Sequence, residues 1–202
     1  MNAELLIAFI AASLALAPIP GPAMIYIAAQ SLGGRRGAGV QAALGIHAGG
    51  WVHVGLAAAG LSAALRMVPD LYLGLKLAGA AYLVWMGIGL LRHASQTVEA
   101  AAPRSARRAF LDSMTVQLLN PKVALFFLAF LPQFTDPGAP WPLAVQMLVL
   151  GTILNMIFLG FDLLVALGTD CLGAALRARR WLERIAGALL IGLGARLALD
   201  RS

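Results

Sequence analysis

From Leu5 to Ala29 the chain runs for 25 residues without a charged side chain. A bilayer's hydrocarbon core is about 30 Å thick, and roughly 20 apolar residues cross it as a helix rising about 1.5 Å per residue. A run this long can cross with some tilt. Five more runs follow. Val40 to Leu65 is interrupted only by His47 and His53, and Leu71 to Leu91 holds Lys76 near one end, where its stem can snorkel. Phe110 to Phe134 encloses Lys122, Trp141 to Gly168 encloses Asp162, and Trp181 to Leu199 is the shortest. At roughly 20 residues each, six spans leave some 80 residues for connections, too few for a soluble domain. The 202 residues are 60% hydrophobic and 12% charged, against about 45–50% and about 25% in soluble domains. Disorder and a soluble enzyme are excluded on that balance. Only Glu4 precedes the first run, which therefore reads as a span and not as a cleaved signal peptide. The single cysteine, Cys171, leaves no internal disulfide, cysteine zinc site or iron–sulfur site.

The net charge of +6 is a topology signal. Arg35 and Arg36 lie in the first loop, Arg92, Arg104, Arg107 and Arg108 in the third, and Arg177, Arg179, Arg180 and Arg184 in the fifth. Against those ten, the opposite face has Arg66, Lys76, Arg196 and Arg201, four in all. Basic residues collect on the cytoplasmic side. Loops one, three and five are thus predicted in the cytoplasm and both termini outside, and a nucleic-acid partner is not expected.

The chain also matches itself weakly. Gly21 to Tyr26 pairs with Asn120 to Leu125 at an offset of 99, and Lys76 to Ala81 pairs with Arg184 to Leu189 at an offset of 108. The extra nine residues fall in the fourth loop, Pro132 to Pro142. A single transporter domain over 1–202 is predicted, with repeat one at 1–91, a cytoplasmic linker at 92–110 and repeat two at 111–202. Three spans per half make the halves cross in opposite directions, as the charge count also requires. Inverted repeats of this kind place a transport site at their interface near mid-membrane. The competing reading is a chance match between Leu/Ala/Gly-rich helices.

Two breaks fall at matching positions. Pro18-Ile19-Pro20-Gly21-Pro22 removes three backbone donors from the first span, and Asn120-Pro121 interrupts the fourth. Freed carbonyls in hydrocarbon cost several kcal/mol each unless protein or a wet cavity satisfies them, and Asn120 can bond such groups. Interrupted spans at corresponding places in two halves point to a binding site. A proline kink serving packing is the alternative.

These residues resemble the lysine exporter (LysE/RhtB) family of small amino-acid exporters. The resemblance covers nearly the whole chain: Pro20-Gly21-Pro22, Gly33 to Gly39, Leu44-Gly45-Ile46, Val52-His53, Leu118 to Lys122, Phe126 to Phe134 and Ile191 to Gly194. One departure is Ala23, where the family commonly has Asn or Asp directly after the PGP motif. The resemblance implies export of amino acids or close derivatives, driven by the proton gradient, from the bacterial inner membrane.

Lys122 and Asp162 are the charges placed deepest in their spans. Either costs about 2.5–3.5 kcal/mol at a helix centre, so a partner or a wet cavity is expected. Counted from the cytoplasmic ends, their depths differ by roughly 6 Å. Either they pair, or Asp162 alternates between Lys122 and a proton or cationic substrate; a fixed structural ion pair is the competing reading. Thr152, Asn155, Asp162 and Thr169 fall within one arc of roughly 100°, which reads as a pathway stripe or as inter-helix bonding. His47 and His53 project about 120° apart and cannot readily share a metal. His53 is a candidate for proton coupling, with a packed interior histidine as the default. Gly45 and Gly49 form a small-xxx-small packing face.

The predicted protein is a six-span, inverted-repeat secondary exporter, not an enzyme, with no cofactor or metal. Its partners are a small-molecule substrate, the bilayer and a second copy as a homodimer. Candidate pathway residues are Pro20, Gly21, Pro22, Asn120, Pro121, Lys122, Asn155 and Asp162, with Asp162 and His53 for proton coupling. A half-helix start after Pro22, with Lys122, would take a carboxylate; Asp162, Asn120 and exposed carbonyls near Pro18 to Gly21 would take an ammonium. Alternatives are a channel or uniporter, an exporter of another small molecule, an intramembrane enzyme and an assembly subunit. The absence of GxxxxGK[ST] leaves no ATP site in this chain.

Overall fold

The structure is a computed structural model that describes residues 3–19, 21–32, 36–67, 71–92, 105–136 and 138–199. Among the described residues the regular elements are all helical: α1 (Ala3–Leu16), α2 (Pro22–Leu32), α3 (Arg36–Met67), α4 (Leu71–Arg92), α5 (Ala106–Leu118), α6 (Pro121–Phe130), a 3₁₀ turn (Leu131–Phe134), α7 (Leu143–Leu167) and α8 (Thr169–Leu199). Gly37–Leu61 of α3 and Leu143–Leu167 of α7 are each long and apolar enough to cross a membrane. The pair α5 and α6, bent by 61° at a short break, makes a third crossing if counted as one span. This is the architecture of a membrane protein.

Both expected interruptions are present. The first apolar run is two helices, α1 and α2, separated at residues 17–21. The fourth is α5 and α6, separated at Leu119 and Asn120. Pro121 sits in the first turn of α6, where its missing N–H would have had no intrahelical acceptor in any case. Two boundaries differ from expectation. α5 begins at Ala106, inside the stretch read as a linker, because Ser105 accepts a hydrogen bond from the Arg108 N–H at 3.4 Å and caps it. α8 begins at Thr169, so the stretch read as a fifth loop is helical.

In lipid, helices gain little from apolar burial against one another, and close backbone approach takes over. α4 lies on α8, and α3 lies on α5 and α7. A Cβ added at Gly87 would sit 2.7 Å from the Gly187 carbonyl, and one added at Gly194 would sit 2.7 Å from the Ala80 carbonyl. As the contact moves back along α4 it moves forward along α8, so the two run antiparallel. Along the seam of α3 and α7, Gly151 faces Val54 and Gly50 faces Asn155, and these helices are antiparallel as well. Gly45 abuts the Phe110 carbonyl and Ser113, and Gly49 abuts the Gln117 side chain. The small-residue face of α3 therefore packs on α5.

The largest core cluster joins α1 to α6 and the 3₁₀ turn. Phe9 is fully buried with its ring 5.1 Å from that of Phe134, and Phe126 stacks on Phe130 at 4.9 Å. The connection into α7 is pinned by Gln146. Its amide oxygen accepts from the Asp136 N–H at 2.8 Å, and its amide nitrogen donates to the carbonyls of Asp136 and Trp141.

Candidate functional site

A cavity of about 260 Å³ lies where the two breaks meet α3 and α7. Five of the candidate pathway residues line it: Gly21 from the first break, Asn120 and Lys122 from the second, and Asn155 and Asp162 from α7. Pro20 lies outside the described residues, and Pro22 opens α2. Most of the wall is apolar, with Leu16, Ile19, Met86, Phe126, Phe127 and Phe158 prominent.

The first break leaves room. A Cβ at Gly21 would meet nothing within 4 Å, and the Gly21 carbonyl accepts the first bond of α2, from Ile25 N–H at 3.0 Å. The N–H groups of Ala23 and Met24 lie in that first turn, where a helix offers no internal acceptor, and Ala23 is on the cavity wall. At the second break the Asn120 side chain accepts from the Lys122 N–H at 3.1 Å. Its backbone carbonyl receives Val123 N–H at 3.2 Å. Asn120 thus satisfies freed backbone groups, as its type suggested. Two half-helices begin at this one cavity, and their N-terminal partial positive charges add to the Lys122 ammonium.

The same cavity carries a polar cluster that the sequence does not single out as a unit. His47 Nδ1 is 2.7 Å from Asn155 Oδ1, and His47 Nε2 is 3.0 Å from Asp162 Oδ2. Asn155 Nδ2 donates to the His47 carbonyl at 3.1 Å. All three residues are buried, at 4–7% exposure, so a buried carboxyl group in an apolar helix has found the partner that its cost demands. That partner is His47. Lys122 is exposed and shares the cavity, and among the described residues the side chain bonded to Asp162 is that of His47.

His53 is placed differently. Its Nε2 lies 2.8 Å from the Gln117 carbonyl, at the end of α5, and it is not part of the cavity wall. It ties α3 to the helix that ends at the second break. Thr152 bonds back to the Leu148 carbonyl of its own helix at 2.6 Å, so the stripe on α7 narrows to Asn155 and Asp162; the side chain of Thr169 lies outside the described residues. Among the described residues no group of three His, Cys, Asp or Glu side chains is placed to hold a metal.

Residues 13–201 match the sequence profile of the LysE type translocator family. An uncharacterised membrane protein of Pseudomonas aeruginosa is 36% identical over 192 residues, covering 89% of this chain and 88% of that protein. A leucine efflux protein of Salmonella typhi is 30% identical over 196 residues, covering 91% of this chain and 90% of its own length. A leucine efflux protein of Enterobacter is 31% identical over 189 residues, with 89% and 88% covered. No solved structure matches the chain.

Proposed function

The chain belongs to the LysE type translocator family, and from that premise we propose that it exports amino acids with apolar side chains across the bacterial inner membrane in exchange for protons. One observation carries this reading. A single cavity is lined by two half-helix starts, a lysine, a buried aspartate and many apolar side chains. A zwitterion's carboxylate is suited to the half-helix starts and Lys122. Its ammonium is suited to Asp162. The apolar remainder of the wall fits a side chain of leucine's kind, in keeping with the relatives named for leucine efflux. Ala23 adds no polar ligand at the first break, which leaves the α2 backbone N–H groups to serve there.

The six-span, inverted-repeat architecture is part of the proposal. Its support is that α3 with α7, and α4 with α8, which such a repeat would make counterparts, run antiparallel. Further support is that His47 and Asn155, bonded to each other, are separated by 108 positions, the offset found between the later repeats. On this reading the polar cluster sits on the approximate two-fold axis. The cytoplasmic position of loops one, three and five, and assembly as a homodimer, belong to the same proposal.

The test is counterflow in proteoliposomes across a panel of radiolabelled amino acids, with and without a pH gradient. Accumulation of leucine and similar amino acids that rises with an imposed gradient is expected. Accumulation of none would end the exporter reading, and flux that only follows the substrate's own gradient would make the protein a uniporter.

A further inference from the structure

Hydrogen-bond bookkeeping at the polar cluster leads to one more step. Asn155 cannot be turned end for end, because its oxygen would then face the His47 carbonyl oxygen at 3.1 Å. Its Oδ1 therefore faces His47 Nδ1 at 2.7 Å, an acceptor that obliges Nδ1 to carry a hydrogen. The remaining ring nitrogen, Nε2, lies 3.0 Å from a carboxyl oxygen of Asp162. Two electron-rich atoms rest at that distance only with a proton between them. The ring is then an imidazolium beside a carboxylate, or a neutral imidazole beside a carboxylic acid. The two descriptions have the same composition.

We infer that His47 and Asp162 together form the site of the exchanged proton, with Asn155 as a positioning residue that fixes the ring's tautomer. Loss of the proton sets a lone pair against a buried carboxylate. Moving the Nδ1 hydrogen to Nε2 does not relieve this, because it sets a lone pair against Asn155 Oδ1. The cluster releases its proton most readily when something else meets the carboxylate.

The cavity supplies that exit, since Asp162 and His47 both line it. This step rests on the exporter reading. A substrate ammonium arriving at Asp162 takes the place of the shared proton, which leaves through the cavity to solution. When the substrate departs, a proton from solution returns to the pair. One carboxylate serves both cations in turn, which makes the exchange one for one. A net neutral zwitterion moves one way and a single positive charge the other.

The surroundings are compatible with a site governed by this pair. Lys122 of α6 lines the same cavity. His53 of α3 is engaged by the Gln117 carbonyl. Tyr26 of α2 packs near Ile46. Asp112 of α5 lies off the face, formed by Phe110, Ser113 and Gln117, that meets α3. The contributions of α4 and α8 to the cavity wall are apolar.

Two measurements on the purified full-length protein test the inference. In the first, leucine is added to weakly buffered protein while bound leucine and released protons are counted together. About one proton per leucine is expected from the wild type. Asp162→Asn is expected to release none and to bind about tenfold more weakly or worse. Leucine binding without proton release, or unchanged release from Asp162→Asn, overturns the inference. The second needs no substrate: nitrogen-15 spectra of the histidine rings recorded across pH. Support is a His47 ring with Nδ1 protonated throughout and an Nε2 environment that changes as one proton leaves, a change missing in Asp162→Asn and disordered in Asn155→Ala. A His47 ring with identical behaviour in wild type and Asp162→Asn overturns it. Should leucine fail to bind, the substrate reading falls, and the ring spectra still decide the proton site.

Discussion

The Tyr82 hydroxyl on α4 donates a 2.8 Å hydrogen bond to the Lys122 carbonyl, in the first turn of α6. It reaches across from a neighbouring helix to the place where the fourth span resumes after its break. Interhelical bonds of this type average about 0.6 kcal/mol in membrane proteins. Tyr82→Phe is expected to lower stability by about that much, seen as a small fall in the thermal midpoint in detergent. Tyr82→Ala should fall further, since the ring also packs 5.7 Å from Trp85. Equal midpoints for wild type and Tyr82→Phe would show that the bond adds nothing.

Gly50 is the narrow point beside the polar cluster. A Cβ there would lie 2.6 Å from Asn155 Oδ1, too close for either to stay. Gly50→Ala is expected to cost about 1–3 kcal/mol by overpacking and to depress export by displacing Asn155. Gly55→Ala, on the same helix but with nothing within 4 Å of the added carbon, should leave export at the wild-type level. Transport assays of the two variants at matched expression separate a local effect from a general intolerance of α3.

Asp162→Asn keeps the shape of the cluster and exchanges a mobile proton for a fixed amide hydrogen. Its thermal stability is expected to stay near that of the wild type, while pH-gradient-driven export is lost. His47→Ala should do the opposite to stability. It leaves the carboxylate buried without its partner, which costs about 3–5 kcal/mol where such pairs have been broken. Thermal unfolding of both variants checks the contrast, and an Asp162→Asn protein as unstable as His47→Ala would refute it.

Asn120 caps α6 through its side chain. Asn120→Ala is expected to cost about 1 kcal/mol, and Asn120→Asp or Asn120→Ser to recover most of it. A stability series over the four proteins that failed to separate Ala from the cap-forming residues would remove the capping role.

Most of the site was legible in the sequence because its members are costly where they stand. A proline, a lysine or an aspartate inside an apolar run demands a reason, and Gly21, Asn120, Lys122, Asn155 and Asp162 do converge on one cavity. His47 is hidden because its spacing to His53, six positions away, speaks only to a shared metal. The available signal was its distance from Asn155, which equals the offset between the later repeats. Depth along the helix axis puts Lys122 and Asp162 near one level, and both line the one cavity. Depth carries no information about direction around the axis, and the carboxylate turns to His47. The helical start of α8 is hidden for another reason: Arg177, Arg179 and Arg180 read as loop by charge alone, while arginine is among the better helix formers.

The two antiparallel seams differ in kind. Along α4 and α8, Gly87, Gly187 and Gly194 meet backbone carbonyls and the apolar side chains of Ile191, Leu91 and Val84. Along α3 and α7, His47, Asn155 and Asp162 lock side chain to side chain. The first seam is apolar and the second is keyed by hydrogen bonds. On the exporter reading, a relative displacement of two halves would slide along the first seam and have to unfasten the second, at the very bonds proposed to hold the exchanged proton.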